Sequence, residues 1–170
     1  ASVHYNEVSN DFKTTNKQCT LNEAKLKIDQ IKNLKRIGFT NGCFDIIHSG
    51  HIKYLSKSRR NCDYLVLGLN SDSSVKKLKG NDRPIINERE RVFILSEFSF
   101  VDLIIVFNDL TPIKLIRSLK PDILFKGKDY ELKNVVGHQE ILKWGGKVKL
   151  IDLDVGKSTT SIIERIKNES

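Results

Sequence analysis

Residues 40–55, TNGCFDIIHSGHIKYL, follow a short apolar segment and predict the end of a buried strand leading into a helix. Gly42 permits close approach of the backbone to a ligand at this turn. His48 and His51 are three residues apart, which places both rings on one side of a first helical turn. A phosphate there would meet imidazoles, backbone N–H groups and the positive end of the helix dipole.

Three other interpretations compete for this histidine pair. A zinc site needs a third ligand, and neither His4 nor His138 stands at a spacing typical of one. A dinucleotide fingerprint needs G-x-G-x-x-G, whereas the glycines here are at positions 42 and 50. Simple capping of the helix explains an isolated pair as well as phosphate binding does. Taken alone, the two histidines therefore leave capping and phosphate binding open.

Strand-like and helix-like segments alternate along the rest of the chain. Strands are predicted at residues 36–41, 64–70, 103–107, 123–126 and 147–153, and helices at 21–31, 50–60, 87–98, from Pro112 with Thr111 as its cap, and from Thr159. The strands are apolar without alternation, which is typical of sheets covered on both faces. We therefore predict an α/β, Rossmann-like three-layer domain with a mainly parallel sheet of about five strands. Ligands bind such sheets beyond the carboxyl ends of the strands.

The chain has 170 residues, enough for one globular domain, which we assign to residues 21–170. Residues 1–20 are polar and aperiodic and are expected to form a flexible tail or linker. Neither a membrane-spanning stretch nor a signal peptide is recognisable. Cys19, Cys43 and Cys62 show no C-x-x-C spacing, so reduced thiols in a cytoplasmic protein are expected.

The formal net charge is +8, and residues 53–91 carry +5 of it. Such a surplus indicates partners that bear phosphate. Lys76, Lys77 and Lys79 belong to a stretch predicted as a loop, residues 76–84, after the second strand. They form either a solvated face or a flexible cover for a triphosphate.

Residues 154–166, DVGKSTTSIIERI, contain an apparent Walker A ending, GKST. A P-loop requires glycine five positions before Gly156, and that position is Ile151. The segment instead predicts a helix start at which hydroxyls and backbone N–H groups can bind a phosphate.

Together, T-N-G-x-F-D-x-x-H-x-G-H and the later G-x-S-T-T resemble the two phosphate-binding motifs of the cytidylyltransferase-like nucleotidyltransferase superfamily, over about residues 21–168. The resemblance implies a catalytic set of His48, His51 and Lys79, with Asp45, Arg83 and Asp129 on the acceptor side. Backbone of the turn after the fourth strand would face the base. The implied nucleotide contacts are Thr40, Asn41, Gly42, Cys43, Phe44, Arg91, Lys126, Gly127, Gly156, Ser158, Thr159 and Thr160.

Finer motifs distinguish branches of this superfamily. Glycerol-phosphate cytidylyltransferases carry R-T-x-G-I-S-T-T, whereas residues 153–160 are LDVGKSTT, and those enzymes have an acidic residue where Lys128 stands. PDILFKGKDY and VVGHQE are instead similar to the adenylyltransferase unit of bacterial heptose enzymes. The resemblance implies transfer of AMP from Mg²⁺-ATP to D-glycero-β-D-manno-heptose 1-phosphate, giving ADP-heptose for lipopolysaccharide core synthesis.

Two alternatives remain at this stage. One is a cytidylyltransferase that acts on glycerol 3-phosphate or another phosphorylated alcohol. The other is a non-catalytic basic module that binds nucleic acid, which is disfavoured because most of the aromatic residues lie in apolar runs and are not interleaved with basic residues. We expect a homodimer without a protein-held metal, binding neither nucleic acid nor membrane, with Mg²⁺ arriving together with ATP.

Overall fold

A computed structural model describes residues 16–152, 162, 163, 165 and 166. Its strands are β1 Ile37–Gly42, β2 Tyr64–Asn70, β3 Leu103–Phe107, β4 Ile123–Gly127 and β5 Lys147–Ile151. Its helices are α1 Leu21–Ile31, α2 Ser49–Arg59, α3 Asp72–Lys79, α4 Glu88–Ser96, α5 Ile113–Leu119 and α6 His138–Leu142, with a 3-10 turn at Leu132–Asn134. Within these residues, no helix combines the length and apolar character needed to span a bilayer.

All five strands run parallel, in the spatial order β3-β2-β1-β4-β5. The chain proceeds outward from β1 to β3 and then returns to the other side of β1, where Gly38 pairs with Ile123 of β4. Strand order therefore reverses between β1 and β4. Connections leave these two strands in different directions, which leaves a crevice beyond their carboxyl ends.

Helices cover both faces of the sheet, so the predicted three-layer α/β architecture is confirmed. Val66 of β2 packs in one apolar cluster with Ala24 of α1 and Ile116 of α5. Its neighbour Leu67 points the other way, into a second cluster with Leu55 of α2 and other residues. Because successive strand residues face opposite sides, both sides of each inner strand are apolar.

The lysine-rich segment is a helix and not the predicted loop. Ser71 caps α3 by accepting a hydrogen bond from the Ser74 backbone, and Asp72 adds favourable charge in the first turn. Gly80, at φ 103°, ends the helix in a conformation that other residues rarely adopt. The prediction failed because the short helix has few apolar residues with which to display a helical period.

Other departures are local. Helix α5 begins at Ile113 with Pro112 in the cap position and no side-chain capping bond, so the predicted cap by Thr111 is wrong. The five-residue helix α6 and the 3-10 turn before it were not predicted. Residues 17–19 pair with the backbone of Ile104 in β3, so the described chain contacts the sheet before residue 20. The helix predicted from Thr159 begins outside the described residues.

Gly38 provides a test of the packing that fixes β1. A Cβ atom at this position would lie 2.6 Å from both Cys62 Sγ and Phe125 Cε2. We expect Gly38→Ala to lower the free energy of unfolding by about 1–3 kcal/mol, because the buried neighbours must shift. Urea denaturation measures this, with exposed Lys147→Ala on β5 as the control. Equal stability of the two variants would contradict the packing described.

Candidate functional site

A cavity of about 600 Å³ opens beyond the carboxyl ends of β1 and β4, at the point where strand order reverses. Most of the residues predicted for the site line it: Asn41, Gly42, Cys43, Phe44, Asp45, His48, His51, Lys79, Arg83, Lys126, Gly127 and Asp129. Thr40 and Arg91 do not line it. The predicted phosphate contacts Gly156, Ser158, Thr159 and Thr160 lie outside the described residues.

The turn after β1 depends on a glycine next to an aromatic ring. Phe44 adopts φ 47°, and its ring lies 5.2 Å from that of His51. A Cβ atom on Gly42 would come within 2.8 Å of Phe44 Cε2. The Phe44 ring therefore fills the space beside Gly42 and packs against His51. The sequence had instead suggested that Gly42 permits close approach of a ligand.

The two histidines cap the start of helix α2, and each does so through its own Nδ1 atom. His48 Nδ1 accepts a hydrogen bond from the Gly50 N–H at 3.1 Å, and His51 Nδ1 accepts one from the His48 N–H at 3.4 Å. The ring centroids are 4.0 Å apart. A neutral imidazole that accepts at Nδ1 carries its proton on Nε2, which is then a donor. Capping and phosphate binding are thus compatible, because they use different nitrogens.

Burial keeps His51 uncharged. Desolvation, with a smaller contribution from the adjacent His48, lowers the pKa of His51 to about 4. At neutral pH the ring is therefore a neutral Nε2–H donor instead of a cation. Positive charge at the cavity comes from lysine and arginine, including Lys79, the last residue of α3.

The lowered pKa of His51 leads to a prediction about how stability depends on pH. The folded chain holds His51 neutral until about pH 4, whereas a histidine in the unfolded chain binds a proton near its ordinary pKa of 6.5. Since the unfolded state binds the proton first, this residue should reduce stability as pH falls from 6.5 towards 4 and contribute nothing to its pH dependence above that range. NMR titration of the His51 ring should give a midpoint near 4. A midpoint above 6 would contradict the burial described.

Asp45 holds the loop that brings Arg83 to the cavity. Its buried carboxylate accepts hydrogen bonds from Arg83 Nε at 2.5 Å and from the backbone N–H groups of Ile85 and Ile86 at 2.8 and 2.9 Å. The same carboxylate also lines the cavity. Asp45 is therefore a positioning residue for the loop before α4, while Arg83 remains beside the space where a ligand can bind.

Arg91 lies behind the cavity wall, although the resemblance implied a nucleotide contact. It is fully buried and donates from Nη1 to the backbone carbonyls of Cys43 and Asn70, at 2.6 and 2.8 Å. Nε donates to the Ile86 carbonyl at 2.9 Å and Nη2 to Asp72 at 2.7 Å. One guanidinium thus joins the loop after β1, the end of β2, the start of α3 and the loop before α4.

Replacement of Arg91 tests this role. In Arg91→Lys the charge is kept but the planar fork is lost, so buried carbonyl groups lose their donors. We expect the free energy of unfolding to fall by about 2–4 kcal/mol. Denaturant titration measures this, with the exposed Arg60→Lys as a matched control. An Arg91→Lys variant as stable as the control would mean that this network does not hold the loops.

Lys126 is a partly buried cation at the crevice between β1 and β4. Its Nζ donates to Asn41 Oδ1 at 2.5 Å and lies 5.7 Å from the centre of the Tyr130 ring. Burial lowers the pKa of Lys126 to about 8, while the nearby Asp129 carboxylate acts in the opposite direction. The sequence predicted a contact from the backbone of this turn. The structure adds two polar side chains to the cavity, those of Lys126 and its hydrogen-bond partner Asn41.

Two other predicted residues support the site. The Thr40 hydroxyl lies 2.7 Å from the Tyr54 hydroxyl, which joins β1 to α2 below the histidines. Burial raises the pKa of the Cys43 thiol above its usual range, which disfavours a thiolate. All three cysteines are free, as predicted. No group of three or more metal-ligating side chains occurs among the described residues.

Comparison with known proteins gives the same family as the motifs. The family described as Cytidylyltransferase-like matches residues 39–165. The bifunctional protein HldE of Syntrophotalea carbinolica is 56% identical over 78% of this chain, and that of Campylobacter jejuni strain RM1221 is 47% identical over 99% of it. The crystal structure of a lipopolysaccharide core biosynthesis protein from Thermoplasma volcanium aligns with a TM-score of 0.57 and 31% identity, covering 72% of this chain and 99% of that one.

The curated relatives are longer proteins. This chain spans 27% of the Syntrophotalea protein and 36% of the Campylobacter protein. The family match, by contrast, covers most of the chain, from residue 39 in β1 to residue 165. It includes both predicted phosphate-binding motifs and the cavity at the strand reversal. This chain therefore belongs to the cytidylyltransferase-like family.

Proposed function

We propose that this chain is an adenylyltransferase that transfers AMP from Mg²⁺-ATP to D-glycero-β-D-manno-heptose 1-phosphate, releasing pyrophosphate and giving ADP-heptose for the lipopolysaccharide core. The observation that carries the proposal is the histidine pair, whose Nδ1 atoms cap α2 beside the cavity and whose Nε2 atoms are thereby donors. Family membership and similarity to the bifunctional HldE proteins and to the Thermoplasma volcanium lipopolysaccharide core biosynthesis protein support the choice of reaction.

The reaction is a direct displacement at phosphorus. An oxygen of the sugar 1-phosphate attacks the α-phosphorus of ATP, forming a new P–O bond, and the bond to the β-phosphate oxygen breaks with pyrophosphate leaving. The attacking phosphate is already ionised at neutral pH. Little general-base work remains, so catalysis reduces to positioning and stabilisation of charge.

His48 and His51 are assigned to the α-phosphate, where negative charge develops during transfer. Neutral Nε2–H donors suit this task because they are fixed by their capping bonds and need no reorganisation. The N-terminus of α2 adds its dipole. Lys79 is assigned to the same phosphate or to the leaving pyrophosphate, and the hydroxyls of Ser158, Thr159 and Thr160 to the β- and γ-phosphates.

Magnesium is treated as part of the ATP substrate. Mg²⁺ keeps most of its water and is held mainly by substrate phosphates in such sites. Since ATP is the donor, we place the reaction in the cytoplasm, and by resemblance to the family we propose a homodimer.

A matrix of four assays tests the substrates. Pyrophosphate release is measured with ATP or CTP, each combined with heptose 1-phosphate or glycerol 3-phosphate. We expect turnover with ATP and heptose 1-phosphate only. Preference for CTP with glycerol 3-phosphate would establish the cytidylyltransferase alternative. Salt-sensitive binding of nucleic acid without any turnover would instead favour the non-catalytic alternative.

Histidine replacement tests the mechanism. His48→Ala or His51→Ala removes one preorganised donor, and we expect kcat to fall by about a hundred- to a thousandfold. His138→Ala is the matched control, because His138 begins α6 and does not line the cavity. Circular dichroism confirms that each variant is folded. A kcat within a few-fold of wild type in either cavity variant would contradict the mechanism.

A further inference from the structure

The cavity has two sides, one next to α2 and one next to α5, and successive side chains of β1 point to one side or the other. The Thr40 side chain points to the α2 face, where its hydroxyl meets Tyr54. Phe39 packs in the opposite cluster, with Leu115 of α5. Side chains alternate along a strand, so Asn41 lies on the same face as Phe39. A Cβ atom on Gly68 would meet both Asn41 Cβ and Leu115 Cδ1, which supports this placement.

Lys126 belongs to that same α5 side. Its neighbour Phe125 packs in the cluster with α2, whereas Leu124 packs in the cluster with α5, so alternation directs Lys126 towards α5 as well. The bond from Lys126 to Asn41 spans the strand reversal. The histidines proposed to hold the nucleotide stand at the start of α2, on the other side of the cavity.

The surroundings of Lys126 suit a phosphorylated polyhydroxyl compound. Amide and hydroxyl groups of Asn70, Thr111 and Asn134 line the cavity with it, next to the apolar Pro112 and Val136. Amides and hydroxyls can donate to and accept from sugar hydroxyls. Among the described residues, no carboxylate forms an ion pair with Lys126, whose hydrogen-bond acceptor is the neutral Asn41 amide. A partly buried ammonium that forms no ion pair gains from an anionic ligand.

We infer that Lys126, positioned by Asn41, binds the phosphate of the acceptor sugar and thereby sets the specificity for a phosphorylated acceptor. The inference rests on the proposed function and assigns a residue to one of its two substrates. The ammonium would neutralise the acceptor phosphate as it approaches the α-phosphorus of ATP. Without such a cation, two anionic groups would repel each other at the distance that reaction requires.

Titration of Lys126 gives this role a signature that a purely structural lysine lacks. Burial holds its pKa at about 8, with Asp129 and the Cys43 thiol as the charged or titratable groups that act to raise it. Above pH 8 the free protein loses the ammonium, so the KM for the sugar phosphate should rise with pH, by up to about tenfold per unit. The KM for ATP should change far less.

Three variants test the inference: Lys126→Met, Lys126→Arg and, as a matched control, Lys128→Met. Lys128 is exposed and pairs with Asp152, and it does not line the cavity. The KM for heptose 1-phosphate is measured by pyrophosphate release between pH 7 and 9.5, and ATP affinity by calorimetry. Calorimetric binding of ATP also shows that each variant is folded.

In Lys126→Met we expect the acceptor KM to rise about ten- to a hundredfold, with ATP affinity within about threefold of wild type. Lys126→Arg should retain part of the affinity and lose the rise above pH 8, because guanidinium stays protonated. Lys128→Met should behave as wild type. Weakened ATP binding with an unchanged acceptor KM would overturn the inference by making Lys126 a nucleotide contact. Wild-type protein without turnover would overturn the proposed function first, and the inference with it.

Discussion

The cavity depends on the hydrogen bonds that the buried guanidinium of Arg91 donates. This guanidinium bonds to the loop after β1, the end of β2, the start of α3 and the loop before α4. Asp45 makes the complementary connection, from the loop after β1 to Arg83 and the backbone of residues 85 and 86. Each group is satisfied by several partners, which offsets the cost of burying its charge. The walls of the cavity are therefore fixed relative to one another before a substrate binds.

The histidine pair shows how local structure and chemistry are joined. Helix α2 needs acceptors for the N–H groups at its start, and the Nδ1 atoms of His48 and His51 supply them. The same bonds fix each proton on Nε2 and so determine what the rings can donate. Burial then keeps His51 neutral at physiological pH. In this site the histidines therefore provide oriented neutral hydrogen-bond donors, and nearby lysines provide the positive charge.

The fold was predictable because apolar strands and strand-to-helix turns carry strong local patterns. The motif within residues 40–55 also indicated the family. Helix α3 was missed, since its few apolar residues give no clear period. The partners of Arg91 and Lys126 could not be foreseen, because all except Ile86 come from residues 19 to 85 positions away that only the tertiary fold brings near. Family motifs indicate which residues matter, whereas the structure distinguishes those that line the cavity from those that support it.

The central claim is that the histidines donate through Nε2 to the α-phosphate of a nucleotide bound beyond β1. A crystal structure of this chain with a non-hydrolysable α,β-methylene analogue of ATP tests it most directly. We expect both Nε2 atoms within about 3.2 Å of α-phosphate oxygens, with the Nδ1 capping bonds retained. Nucleotide bound outside the cavity, or histidines that turn Nδ1 towards the phosphate, would contradict this account.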